Sequence, residues 1–246
     1  MARVLGLLIL ILSTAAFAQD QTKESVAPVV SPWKNESELS AVIVSGNTDS
    51  QSTSFKQKTS YTFALNTLLA RGRYLTTQTS GTNTAKAWEA NGRYERSLST
   101  YWSVYTSYGA ESDFFAGYVQ RDNFDLGAKY YIIKAKDREF VAESGYRYTA
   151  TYALPSSHRY ENFGRLYSQY TQKIGDNAEG KLWVEYLPNF TNSDAYLVNA
   201  ESSVSVALSK VFSLKMSYLM KYQGAVPAGF REHLDTTYST ALVATF

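Results

Sequence analysis

Taken two residues at a time, the chain alternates. In the final stretch, Leu234, Thr236, Tyr238, Thr240, Leu242, Ala244 and Phe246 fall on one side, and Asp235, Thr237, Ser239, Ala241, Val243 and Thr245 on the other. A period of two with one apolar and one wetter face marks a β-strand between two different surroundings. The alternation recurs along the chain and predicts twelve strands, over residues 36–46, 54–64, 68–78, 85–97, 101–111, 122–133, 140–151, 160–173, 181–190, 196–208, 212–223 and 234–246. No segment has helical periodicity of useful length. Each strand is about as long as the roughly 9–11 residues that cross a bilayer at a tilt. An even number returns both chain ends to one side, as in single-chain bacterial barrels. The fold expected is an all-β antiparallel transmembrane barrel of about twelve strands. With periplasmic termini, the three longest connections, 112–121, 153–159 and 224–231, all fall on the extracellular side. Closure requires the last strand to pair with the first, whose alternation is the weakest in the chain.

One alternate set carries no charge through the strand centres. It includes Phe55, Tyr61, Leu68, Tyr74, Trp88, Tyr94, Trp102, Tyr108, Phe124, Tyr130, Leu182, Val184, Leu214 and Met216. Lys or Arg at a bilayer midplane costs about 2–4 kcal/mol, which gives that absence a physical cause. The aromatics sort by height. Phe63, Tyr94, Trp102, Tyr130, Phe140, Tyr170, Phe212 and Phe246 lie near the periplasmic ends. Phe55, Tyr74, Trp88, Tyr108, Phe124, Tyr148, Phe190, Tyr196 and Tyr222 lie near the outer ends. Two girdles around an aliphatic band fit a membrane barrel, whereas a soluble aromatic core needs no such sorting. Gln57 and Pro188 are the poorest fits on this face.

The opposite face holds the ionisable groups. Lys56, Lys58, Arg71 and Arg73 on adjacent strands, with Glu89, Arg93 and Glu95, form the densest patch; Lys129, Glu143 and Arg147 continue it. As lumen-lining residues they admit two readings: a mildly anion-favouring constriction, or an ion-pair network bracing the wall. The second explains the mixed signs more simply.

The N-terminus changes the compartment. Met1-Ala2-Arg3, an apolar run over 4–12 and Ala16-Phe17-Ala18 make a secretory signal, with cleavage between Ala18 and Gln19. Residues 1–18 are then the signal peptide, 19–33 a flexible periplasmic lead-in and 34–246 the barrel. Composition adds limits: 20 Tyr, 12 Phe, no Cys and a net charge of +2. A chain without Cys has no disulfides and no thiolate metal site, and near-neutrality offers no basic field for nucleic acid. No metal cluster, nucleotide motif or cofactor is expected. The two histidines, His158 and His233, sit at predicted outer ends. His158 follows Ser156 and Ser157, a poor spacing for a nucleophile and its base.

Three stretches carry a resemblance: Trp33 followed by E-L-S-A-V-I-V-S-G-N-T-D-S (38–50), Y-E-R-S-L-S-T-Y-W-S-V-Y-T-S-Y-G-A-E-S-D-F-F-A-G-Y-V-Q-R (94–121), and K-Y-Q-G-A-V-P-A-G-F-R-E-H-L-D (221–235). Their spacing resembles the salt-induced outer-membrane proteins, a bacterial domain family of unknown function. The resemblance implies an outer-membrane barrel and supplies no catalytic residues. The expected function is a non-enzymatic barrel of the Gram-negative outer membrane, either a narrow channel or a closed structural, envelope-stress barrel. The alternative is a lipid-modifying enzyme using a rim histidine. The expected partners are outer-membrane lipid, lipopolysaccharide and the barrel-assembly machinery, which would read Phe246; the barrel is expected to be monomeric.

Overall fold

The computed structural model describes residues 31–44, 50–153, 157–225 and 233–246. The signal peptide, the Ala18–Gln19 junction, most of the lead-in, Ser156 and residues 45–49 lie outside the described residues. Twelve strands follow in order: β1 (Trp33–Val44), β2 (Ser50–Phe63), β3 (Asn66–Thr79), β4 (Thr82–Ser97), β5 (Trp102–Asp113), β6 (Tyr118–Lys134), β7 (Arg138–Ala153), β8 (Ser157–Ile174), β9 (Ala178–Leu187), β10 (Leu197–Ala207), β11 (Phe212–Gln223) and β12 (Leu234–Thr245). Each pairs antiparallel with its sequence neighbours, and β1 pairs with β12, so the sheet closes on itself. Closure removes the edges that an open sheet would leave unpaired.

Several boundaries differ from the sequence reading. Strands β5 and β6 extend into the expected connection 112–121, as far as Asp113 and from Tyr118, leaving a short 3₁₀ turn at Phe114–Ala116 that Asp113 caps through the Ala116 amide, 3.0 Å away. Asp113 thereby stabilises a turn that strand periodicity cannot reveal. Ser80 and Gly81 form a two-residue hairpin turn with φ of 50° and 78°, the all-positive geometry that suits strand twist. The first turn at the other end is Ala64-Leu65; Asn66 and Thr67, which precede the expected strand 68–78, already belong to β3. β9 stops at Leu187 because Pro188 lacks a ladder donor; the Pro188 carbonyl still accepts from Gly164 N at 2.9 Å.

Alternation sorts the faces as read from the sequence. Phe55, Tyr74 and Trp88 are successive cross-strand partners, as are Tyr108, Phe124 and Tyr148. At the end that carries the termini, Trp33 packs against Tyr61 at 4.5 Å and Trp102 against Tyr130 at 4.6 Å, each pair tilted by 39°. These aromatics point outward, and most are exposed. Among the described residues, the outward charges Lys86, Arg96, Asp122, Lys134 and Arg138 stand only near strand ends. Gln57 is satisfied locally. It accepts from Ser37 Oγ at 2.5 Å and donates to Thr59, which donates to Asn35 at 2.9 Å.

The seam is the shortest ladder of the barrel. Glu36 to Leu39 pair with Thr245 to Leu242, and Asn35 exchanges two 3.0 Å backbone hydrogen bonds with Phe246. Beyond that, Ser40 Oγ donates to the Thr240 carbonyl at 2.6 Å. By contrast, the β11–β12 ladder runs from Phe212–Ala244 to Tyr222–Leu234.

Candidate functional site: the charged lumen

Strand parity turns the charged positions inward, and the barrel's width sets which of them meet. Twelve ion pairs among the described residues tie eight cations to eight carboxylates. The largest network runs in alternating sign: Lys129, Glu95, Arg93, Glu143, Arg165, Glu185, Arg147, Asp125. It crosses from β4 to β9. Glu143 takes two hydrogen bonds from Arg93, at 3.0 and 2.8 Å, and one from Arg165 at 2.7 Å. Arg147 grips Asp125 with two donors at 2.6 and 2.9 Å. Asn199 Nδ2 donates to Glu185 at 3.1 Å, carrying the network to β10. Bidentate guanidinium–carboxylate pairs fix orientation as well as charge.

Tyr105 lies at the centre of this network and is 2 % exposed. Arg93 stacks 3.7 Å from its ring centroid, and Arg165 donates to its hydroxyl at 2.7 Å. The ring fits because Gly127 and Gly145, direct partners on β6 and β7, have no side chain beneath it. A Cβ on Gly127 would stand 2.6 Å from both the Tyr105 hydroxyl and the Ser144 carbonyl. Gly127→Leu is therefore expected to displace Tyr105 and loosen the network, at about 1–3 kcal/mol for overpacking. Urea unfolding of the refolded barrel checks this; an unchanged midpoint would refute the close fit.

A second neutral network braces the seam. Glu38 of β1 receives Lys56 at 2.7 Å and Lys215 at 2.9 Å, and Lys215 also reaches Glu201 at 3.5 Å. Two isolated pairs complete the set, Arg73–Glu89 at 3.5 Å and Arg121–Glu111 at 3.6 Å.

The patch expected over β2–β4 is thus divided. Lys56 turns to Glu38, Arg73 to Glu89, and Arg93 and Glu95 turn away toward Lys129 and Glu143. Lys58 and Arg71 make no ion pair or hydrogen bond among the described residues. Lys129, Glu143 and Arg147 join the large network. The sequence reading missed Tyr105, Glu38, Glu111, Arg121 and Lys181. Tyr105 was detectable as the inward aromatic facing glycines at 127 and 145. Glu38 was hidden by the weak alternation of β1.

The rim histidines are engaged elsewhere. His158 packs its ring edge-on to Tyr152, and His233 Nδ1 lies 2.8 Å from the Gln223 carbonyl while its ring stacks on Tyr222. Among the described residues neither contacts a hydroxyl or carboxylate by hydrogen bond, and no group of three or more His, Cys, Asp or Glu is placed to hold a metal ion.

The chain belongs to the family described as "Protein of unknown function, DUF481", whose model matches residues 37–246. The family description contains no reference to salt, so that association rests on the short motifs alone. No curated protein matches the chain. Among solved structures, the NanC porin superposes with a TM-score of 0.51 at 10 % identity, over 86 % of this chain and 97 % of that one. The translocator domain of autotransporter NalP from Neisseria meningitidis gives 0.50 at 10 % identity, over 89 % of each chain. At these identities the likeness is one of fold: a closed twelve-stranded antiparallel barrel of the outer-membrane type.

Proposed function

We propose that this chain is exported, crosses the Gram-negative outer membrane as a monomeric barrel, and conducts small solutes through a narrow, mildly anion-favouring lumen. The carrying observation is the segregation of charge. Among the described residues, sixteen ionisable side chains pair inside the barrel, while charges on the outer wall are confined to the strand ends. Water would reward the reverse arrangement, and only an apolar solvent rewards this one. In this orientation the barrel end that carries the chain termini, with Phe246, faces the periplasm.

Narrowness follows from reach across the lumen. Arg93 on β4 bonds Glu143 on β7, which bonds Arg165 on β8, so this half of the interior is filled by side chains. Space remains beside β2 and β3, where Lys58 and Arg71 are exposed within the barrel. Passage would run along that wall. In planar bilayers the purified barrel should give small, reproducible current steps, and its reversal potential in a KCl gradient should show modest chloride preference. Absence of salt-dependent current would leave a closed structural barrel.

A further inference from the structure

We infer that Lys58, Arg71 and Lys181 form a lumenal binding site for small multivalent oxyanions, carrying phosphate or several carboxylates. The inference deepens the channel reading and rests on it only in needing a lumen that anions can enter.

The register supplies the first reason. Lys58 is the direct cross-strand partner of Arg71, and Lys56 is that of Arg73 one inward position along. Like charges directly opposite each other destabilise a ladder. The protein compensates one of these pairs and not the other. Lys56 has Glu38 and Arg73 has Glu89. Lys58 and Arg71 have no ion-pair partner among the described residues, yet both remain exposed to the lumenal space.

The opposite wall supplies the second reason. β9 lies across the ring from β3, and its Lys181 alternates with the outward, exposed Leu182 and Val184 and so faces the lumen, within Coulombic reach of Lys58, Arg71, Lys215 and Glu36. Lys181 also makes no ion pair among the described residues. Two carboxylates stand near the cluster. Glu36 is in register with Lys58 but outside ion-pair distance. Glu143 lies near Arg71 but is already held by Arg93 and Arg165. Three cations against Glu36 leave a net charge of +2. The free donors are two ammonium groups and one guanidinium fork, a set that matches the oxygens of phosphate or a carboxylate pair. A monovalent anion would neutralise only half of this charge.

The test uses the whole barrel folded in detergent, with pyrophosphate as the probe in isothermal titration calorimetry at low salt. Saturable binding is expected, weakening as salt screens the site. The double substitution Lys58→Gln with Lys181→Gln should reduce affinity at least tenfold, and Arg71→Lys should reduce it less than Arg71→Gln. Lys210→Gln, in the β10–β11 turn, should have no effect. Retained heat-modifiable migration verifies folding, which neutralising unpaired cations should not impair. No saturable binding by the folded wild type, or unchanged affinity in the double variant, would overturn the site. Binding without bilayer current keeps the site and removes the channel; current without binding does the reverse.

Discussion

Replacing Glu143 with Ala should destabilise the barrel by about 3–5 kcal/mol, the cost of removing one partner from a buried charge network. Glu143 is 7 % exposed and holds apart two guanidiniums, Arg93 and Arg165, that both contact Tyr105. Their side chains are 10 % and 9 % exposed, so lumenal water can do little to replace the lost carboxylate. Removing it also cuts an otherwise alternating run of charges in the middle. Glu143→Gln keeps the shape and one acceptor, and should cost less with the same sign. The triple replacement Arg93→Met, Glu143→Leu, Arg165→Met should recover much of the loss, because a well-packed apolar substitute for an ion network is often neutral. The measurement is urea unfolding followed by tryptophan fluorescence. A change under about 1 kcal/mol in Glu143→Ala would mean that the arginines find other partners, and that the network does not brace the wall.

The fold was legible because lipid and lumen make opposite demands on alternate residues. Each of the twelve expected strands overlaps an observed one in the same order, and the uncharged face turned outward. What failed was local. Strand ends depend on capping and turn conformation, as at Asp113 and Ser80-Gly81, rather than on alternation. Asn189 is a similar case. It is 5 % exposed and accepts the amides of Thr191 and Asn192 while donating to Glu161, which organises the chain after Pro188. The ion pairs of the charged positions join residues from several strands and divide the patch expected over β2–β4. Parity says that Arg93 and Glu95 point inward, but their partners depend on curvature across three strands, set by Gly127, Gly145 and Tyr105. The same limit concealed Lys181, whose neighbours Lys58 and Arg71 lie more than a hundred residues away.

Deleting Phe246 should reduce the membrane-inserted, heat-modifiable fraction several-fold, because it shortens the ladder with least to spare. Phe246 N and O both bond Asn35 at 3.0 Å, beside only four further partner pairs between β1 and β12. Each backbone hydrogen bond is worth about 1 kcal/mol net in water, and an unsatisfied group costs several kcal/mol where no water replaces it. The contact is also the most distant in sequence, so it closes late and at high loop entropy. Two effects can be separated. Phe246→Ala keeps both backbone hydrogen bonds but loses the aromatic ring, which is 69 % exposed. If the ring serves recognition by the assembly machinery, Phe246→Ala should refold normally into lipid vesicles and assemble poorly in cells. The deletion should fail in both settings, and Phe246→Tyr in neither. Normal vesicle insertion by the deletion variant would show that the seam does not need its terminal pair.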